Sequence, residues 1–172
     1  MRGVFLDIAS LSPNDLDLQP VLSSLDHWQQ FDSTTPQQCA SRIQDATVVV
    51  TNKVVLDKPQ ILAAKKLQLI CVAATGTNNI DLQSAEEKGI EVRNVAAYAT
   101  ASVTEHVLAL LLTLTRQLDR YRRAASRWPT SKHFCVFDTP IQELAGKKLG
   151  IIGLANWARQ LPQLPAPSAW TY

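Results

Sequence analysis

The sequence has no strong excess of either charge. Its 172 residues carry 17 basic and 15 acidic side chains, for a formal net charge of +2. Nucleic-acid-binding domains usually carry a clustered basic excess, so this balance argues against nucleic acid as a partner. The basic stretch Arg116–Arg127 is typical of the solvent-exposed face of a helix.

Cysteine is scarce. Cys39, Cys71 and Cys135 are odd in number and far apart, and none belongs to a CxxC motif or a His/Cys cluster. These spacings argue against a disulfide framework and against a structural zinc site. We therefore expect ordinary buried or half-buried thiols and no bound metal.

Long apolar runs are also missing. The longest, Val107–Leu112, falls far short of the roughly 20 residues that a membrane-spanning helix needs. The N-terminal stretch MRGVFLDIAS is too briefly apolar, and too soon acidic, to resemble a secretion signal. These features predict a cytoplasmic protein with no membrane partner.

The sequence does contain a regular alternation of short β-rich runs and helical stretches, with a hydrophobic content of 46%. Continuous apolar strands separated by helices predict a parallel sheet covered on both faces. We expect an α/β fold with a flavodoxin-like, doubly wound sheet. The predicted strands are 3–8, 27–31, 46–51, 69–73 and 91–95, and the predicted helices are 14–25, 36–43, 58–64 and 81–88.

A long helix is predicted over Thr100–Arg127, ended by Trp128-Pro129. Its apolar residues recur every three or four positions, and further leucines widen the apolar stripe beyond what one contact needs. Such a stripe packs between domains or against a second copy of the chain, and the sequence leaves both alternatives open. A new strand is predicted over Lys148–Gly153.

Three stretches carry a family resemblance: VAATGTNNID at 72–81, NVAAYATASVTEH at 94–106 and LAGKKLGIIGL at 144–154. Together with Thr51-Asn52-Lys53 they resemble the D-isomer-specific 2-hydroxyacid dehydrogenases. Within that family they look most like the members that act on glycerate and hydroxypyruvate. The resemblance covers residues 1–154 and implies hydride transfer between NAD or NADP and a small 2-hydroxy or 2-oxo acid.

The resemblance and the physical pattern indicate the same substrate site. Ala74, Thr75 and Gly76 follow the carboxyl end of a strand, where doubly wound sheets bind ligands, and Gly76 lets backbone approach a small anion. The resemblance assigns these three residues to the substrate carboxylate, and Thr75 also to the cofactor. Lys53 ends another strand and could add a positive charge, although a solvated surface lysine is an equal alternative.

Other polar residues have structural readings. Asn79 and Asp81 are interpreted as a turn and a helix cap, because an aspartate before LQSA supplies the acceptor that a helix N-terminus needs. The resemblance makes Val103, His106 and Gly153 cofactor neighbours. A packing or hydrogen-bonding role on the helix is the alternative for His106.

The family's reaction uses an arginine to orient the substrate, and a histidine supported by a glutamate as acid and base. The resemblance puts those three residues beyond this chain, so we predict no catalytic residue among its 172 positions. Arg159 lies in a segment that departs from the family pattern and is not that arginine.

The dinucleotide motif G-x-G-x-x-G is incomplete. Of its three glycines only Gly153 is present, with Ala155 and Ala158 at the other two positions. Alanine at the second position puts a methyl group where the pyrophosphate approaches backbone. Three prolines, Pro162, Pro165 and Pro167, fall where the following helix should run, and each costs a helix interior about 3 kcal/mol or more.

One lost nucleotide explains the change. Restoring a G before the Ala155 codon, which begins GC, gives glycine, and the final G of the Trp157 codon then turns Ala158 into glycine. We therefore expect a frameshifted, prematurely ended dehydrogenase, with a divergent natural C-terminus as the alternative.

The expected domains are 1–98 for the substrate domain, 99–154 for the start of a Rossmann domain and 155–172 for an aberrant tail. We expect the chain alone to be inactive and to bind no cofactor. Its alternative role is that of an interaction module that forms a homodimer through helix 100–127.

Overall fold

The computed structural model describes residues 1–11, 15–137, 139–153 and 158–159. The chain divides into two compact units, Met1–Ala96 and Ala97–Tyr172. Among the described residues, no helix combines the length and the apolar character that crossing a bilayer requires.

The first unit is built on five parallel strands. They are β1 (Arg2–Phe5), β2 (His27–Gln30), β3 (Val48–Thr51), β4 (Leu69–Val72) and β5 (Glu91–Asn94). Their order in the sheet is β2-β1-β3-β4-β5, with every neighbouring pair parallel. This is the flavodoxin-like order, in which the direction of winding reverses between β1 and β3. The predicted α/β class is confirmed.

Two apolar clusters lie on opposite faces of this sheet, because successive strand side chains point to opposite sides. Val4 and Leu6 join the larger cluster, which lies under helices α2 (Pro36–Ile43), α3 (Lys58–Ala63) and α4 (Leu82–Glu87). Phe5 joins the smaller one, which lies under α1 (Gln19–Leu22). Each fully buried aliphatic side chain contributes about 1.5–3 kcal/mol, so the larger cluster dominates the stability of this unit.

Helix α2 begins and ends as predicted, at Pro36 and Ile43. Proline suits the first turn of a helix, where its missing N–H would have no intrahelical partner. The Gln38 Oε1 atom accepts a hydrogen bond from the Thr35 N–H at 3.1 Å. Residues at the N-terminus of α2 therefore define where this helix begins.

The predicted helix over 14–25 is wrong in extent. The structure forms only α1, Gln19–Leu22, and residues 12–14 lie outside the described part of the chain. Pro20 explains the late start, because proline is tolerated in the first turn of a helix and breaks its interior. Ser24 helps to end the helix, since its hydroxyl donates to the Val21 carbonyl at 2.6 Å.

The predicted long helix over 100–127 is also wrong in extent. It divides into α5 (Thr100–Thr115), α6 (Leu118–Ala124) and a 3-10 helix over Ala125–Thr130. Gln117 breaks it in the left-handed conformation, with φ 54° and ψ 40°, which costs a non-glycine residue roughly 1–2 kcal/mol. Two hydrogen bonds to carbonyls of the last turn of α5 offset this cost: Gln117 Nε2 donates to Leu114 at 2.8 Å, and the Gln142 N–H donates to Thr115 at 2.8 Å.

Of the predicted strand over 148–153, only Lys148 takes part in a β-bridge, and residues 149–153 form no strand. A β-strand exists only through hydrogen bonds to a neighbouring strand, and the described residues of the second unit contain no strand that could pair with them. Ile152 is accordingly fully exposed.

Candidate functional site

The candidate substrate site lies in the first unit, at the edge of the sheet where the parallel strands end. Loops that follow β1, β3 and β4 meet there because those three strands are neighbours. Ligands of doubly wound sheets bind at this carboxyl edge, close to the point where the winding reverses.

The loop after β4 is held at both ends. The Ala73 N–H donates to the Thr51 carbonyl at 2.8 Å, so the loop leaves the sheet in register with β3. At its far end, Leu56 and Ile80 form an isolated parallel bridge. These contacts fix the backbone that carries Ala74 and Gly76.

Thr75 attaches the same loop to the end of β5. Its hydroxyl donates to the Val95 carbonyl at 3.0 Å, and its own carbonyl accepts from Asn94 Nδ2 at 2.6 Å. The Val95 N–H adds a bond to the Ala74 carbonyl at 3.1 Å. The Thr75 hydroxyl is thus engaged in holding the loop.

The turn after β3 is held by a buried carboxylate. Asp7 follows β1 and is only 7% exposed. Its Oδ2 accepts the Lys53 N–H at 2.7 Å, and its Oδ1 accepts the Asn52 N–H at 2.9 Å. Ser10 completes the arrangement, because its Oγ donates to the Asp7 carbonyl at 2.7 Å and accepts from Asn52 Nδ2 at 3.1 Å.

These loops enclose a pocket of about 330 Å³ that we call the Lys53 pocket. Among the described residues that line it, Lys53 carries the only formal charge. They are Asn52, Lys53, Val55, Ala74, Gly76, Asn78 and Asn79. A small pocket with one ammonium group, several amides and a glycine backbone suits a small carboxylate.

Of the four substrate residues predicted from the sequence, the Lys53 pocket brings together Lys53, Ala74 and Gly76. Thr75 is adjacent in the chain but is not among the lining residues. A Cβ added at Gly76 would lie 3.0 Å from Asn78 Oδ1, a close contact that a small shift of that side chain would relieve.

Sequence reasoning missed Asn52, Asn78 and Asp7. Asn52 belongs to the Thr51-Asn52-Lys53 stretch that carries the family resemblance, but the sequence pattern assigns it no role. Asp7 follows β1 in the chain, and its contacts lie 45 and 46 positions away. The usable signal was the acidic residue near the carboxyl end of the predicted strand 3–8, because the carboxyl ends of neighbouring parallel strands meet.

A second pocket, of about 640 Å³, shares Lys53 and Val55 with the first and is lined in addition by Asp7, Asp32 and Asp57. We call it the acidic groove. Three carboxylates outnumber Lys53 there, whereas no described residue that lines the Lys53 pocket is acidic. Like charges repel, so the Lys53 pocket is the better place for a small organic anion.

The interpretation of Asn79 and Asp81 is confirmed. Asp81 caps α4, where its Oδ1 accepts the Ser84 N–H at 3.0 Å and its Oδ2 accepts the Ser84 hydroxyl at 2.8 Å. The hydrogen bond from the Ser84 backbone is the main reason that the pKa of Asp81 lies below its ordinary value. Asn79 Nδ2 donates to the Val54 carbonyl at 3.0 Å, which fixes the turn.

The thiols are also as expected. Cys39 is buried, Cys71 and Cys135 are half-buried, and all three are free. Burial raises the pKa of the Cys39 thiol to about 11, so this sulfur stays protonated. Among the described residues, no group of His, Cys, Asp and Glu side chains could hold a metal ion.

The predicted cofactor neighbours Val103 and His106 lie in the second unit. Both are exposed on α5, three positions apart and therefore on one face of the helix.

Gly153 has a φ of 99°, which favours glycine. A pyrophosphate cradle needs a strand that feeds this glycine, with a helix packed closely against the turn. Among the described residues, 149–153 form no strand, and no heavy atom lies within 4 Å of the position that a Gly153 Cβ would take. Those residues by themselves therefore do not complete a dinucleotide cradle. Ala155 and the rest of the aberrant tail, apart from 158–159, lie outside the described residues.

Comparison with known proteins agrees with the fold and with the motifs. The family model described as the catalytic domain of D-isomer specific 2-hydroxyacid dehydrogenases matches residues 8–160. The glycerate dehydrogenase of Methylorubrum extorquens is 40% identical over 129 residues, which are 73% of this chain and 41% of that protein. The hydroxypyruvate reductase of Blautia hydrogenotrophica is 35% identical over 158 residues, which are 89% of this chain and 49% of that protein.

Solved structures give the same fold. The D-lactate dehydrogenase of Aquifex aeolicus, solved in complex with NAD and lactic acid, aligns with a TM-score of 0.71 at 23% identity. The alignment covers 94% of this chain and 47% of that one. The chain therefore belongs to the D-isomer-specific 2-hydroxyacid dehydrogenase family, and it spans about half the length of the curated relatives it matches.

Proposed function

We propose that this chain derives from an oxidoreductase that transfers a hydride between NAD or NADP and a D-2-hydroxy acid, with glycerate and hydroxypyruvate as the substrate pair. In this chain the Lys53 pocket binds the substrate carboxylate. The observation that carries the proposal is the convergence of Lys53, Ala74 and Gly76 on one pocket at the carboxyl edge of the sheet. A cytoplasmic location fits the three free thiols.

The chemistry of the pocket supports a small anion over a neutral ligand. The Lys53 ammonium supplies the positive charge, and the Asn78 amide supplies a hydrogen-bond donor for the carboxylate oxygens. Because the Lys53 side chain is exposed, its ion pair with a carboxylate is worth only about 1 kcal/mol or less, and binding should be weak.

Titration of the full chain with D-glycerate, followed by ¹⁵N–¹H NMR, tests this proposal. We expect the amide signals of residues 52–53 and 74–78 to shift, and glycerol, which lacks the carboxylate, to leave them unchanged. Lys53→Ala should weaken binding roughly fivefold. Lys65→Ala is the matched control, because it removes the same charge at the opposite edge of the sheet, before β4. Equal binding by the wild type and Lys53→Ala would contradict the proposal.

The polypeptide alone should not catalyse the reaction, because its dinucleotide motif keeps only Gly153 of three glycines and the resemblance assigns the acid/base pair to none of its residues. Loss of NADH absorbance with hydroxypyruvate, measured against a protein-free blank, is the direct assay. A rate above the blank that persists through further purification would show that the chain is a working enzyme.

Self-association through α5 is a second candidate function. The observation in its favour is the exposure of large apolar side chains along this helix, with Leu110 50%, Leu112 44% and Leu114 68% exposed. Water-exposed apolar surface of this kind favours association. Light scattering should then give the mass of a dimer, and Leu114→Glu should shift it to the monomer. A wild-type chain that is monomeric at all concentrations would remove this candidate.

A further inference from the structure

We propose that Asp7 is a positioning residue for the Lys53 pocket, one that holds the Asn52–Lys53 turn in the conformation that binds a carboxylate. This inference rests on the proposed function of that pocket. It assigns a binding role to a residue that lines the acidic groove and does not line the Lys53 pocket.

The hydrogen bonds described for the Asp7 carboxylate all come from the Asn52–Lys53 turn. Its two carboxylate oxygens accept consecutive backbone N–H groups, at 2.9 and 3.2 Å from Asn52 and at 2.7 Å from Lys53. Both of those residues line the Lys53 pocket. Hydrogen bonds between a carboxylate and backbone N–H groups are among the stronger ones in proteins, so loss of the carboxylate frees both residues together.

The negative charge of Asp7 makes it possible to distinguish a positioning role from a purely electrostatic one. Asp7 is negative, and a negative charge near an anion site opposes binding. If Asp7 acted only through its field, its neutralisation would tighten the binding of D-glycerate, by about twofold for groups several ångströms apart in a wet pocket. If it acts by holding the turn, the same change weakens binding.

Asp7→Asn is the decisive variant. The amide keeps one acceptor oxygen, but its NH₂ group then faces one of the two backbone N–H donors. We expect D-glycerate binding to weaken about tenfold, the effect of one lost hydrogen bond to a charged group. The NMR signals of the Asn52 and Lys53 amides should move in the free protein as well. Asp32→Asn is the matched control, because it removes the same charge from the acidic groove at a residue outside the Lys53 pocket.

A double-mutant cycle with Lys53→Ala distinguishes positioning from general damage to the fold. A residue that acts through the turn should lose most of its effect once Lys53 is gone, so Asp7→Asn should weaken the Lys53→Ala protein less than about threefold. Equal weakening in both backgrounds would overturn the inference. If Asp7→Asn does not fold, Ser10→Ala loosens the same turn through Asn52, and an affinity equal to that of the wild type would overturn it too.

Failure of the inference and failure of the proposed function look different. Absence of D-glycerate binding by the wild-type chain contradicts both. Normal binding by the wild type, together with unchanged or tighter binding by Asp7→Asn, contradicts the role of Asp7 alone.

Discussion

Gly3→Ala should strongly destabilise the first unit, although it adds only one methyl group. Gly3 lies in β1 directly opposite Trp28 in β2. A Cβ at this position would lie 2.4 Å from Trp28 Cε3, 2.5 Å from Cζ3 and 2.6 Å from Cδ2. Real Cβ atoms do not approach other atoms this closely, so the indole ring or the strand must move.

The expected loss of stability follows from the packing of the Trp28 indole ring. Trp28 packs against Phe5 with ring centroids 5.2 Å apart, an arrangement worth about 0.5–1.5 kcal/mol. Overpacking of a core costs about 1–3 kcal/mol. Alanine regains roughly 0.5–1 kcal/mol over glycine within a strand. The net expectation is a loss of about 1–3 kcal/mol in the free energy of unfolding.

Urea unfolding followed by far-UV circular dichroism measures this loss. Gly150→Ala is the control, because its added methyl group meets no atom of the described residues within 4 Å and its backbone has no positive φ. In a Trp28→Leu background the smaller side chain leaves room, and the cost of Gly3→Ala should fall below about 1 kcal/mol. An undiminished cost in that background, or a Gly3→Ala protein as stable as the wild type, would refute the reasoning.

Three further changes have expected outcomes. Ala97 has a φ of 57°, a conformation that strains a residue with a Cβ atom. Ala97→Gly should therefore raise the free energy of unfolding by roughly 0.5–1 kcal/mol. An unchanged free energy of unfolding in a urea titration would contradict this strain. Lys88 Nζ donates to the carbonyls of Ile61, Leu62 and Ala64 at 3.1 Å each. Lys88→Met should therefore lower the free energy of unfolding by about 1 kcal/mol in a urea titration. The control Lys65→Ala should leave it unchanged. Because the pKa of Asp81 is lowered in the folded state, its contribution is present above the ordinary carboxyl pKa of about 4 and is lost as the pH falls through the lower folded value. Stability should therefore decline less between pH 5 and pH 3 in Asp81→Asn than in the wild type, when the free energy of unfolding is compared at the two ends of that range.

Local residues decided which parts of the fold could be predicted. Pro36 marks the start of α2, and Asp81 marks the start of α4. Both helices were predicted because such signals act within one turn of the residue that carries them. Apolar runs likewise predicted β1, β3 and β4, whereas the two outer strands, β2 and β5, consist mostly of polar residues.

Three of the errors share one cause. Gln117 ends α5 without the glycine or proline that usually marks such a break, and one of the bonds that stabilises the break comes from Gln142. The strand over 148–153 was predicted from its apolar residues, although strand formation depends on partners elsewhere in the chain. Asp7 was missed because its contacts join residues far apart in sequence. Contacts of this kind depend on the finished topology, which local patterns do not contain.

The attachment of Thr75 to the end of β5 links ligand binding to the outermost strand of the sheet. β5 has a neighbour on one side only, and peripheral strands are the first to fray. A carboxylate that immobilises the loop should also slow solvent exchange of the β5 amide protons. Occupancy of the pocket could then be read from a strand that does not touch the ligand.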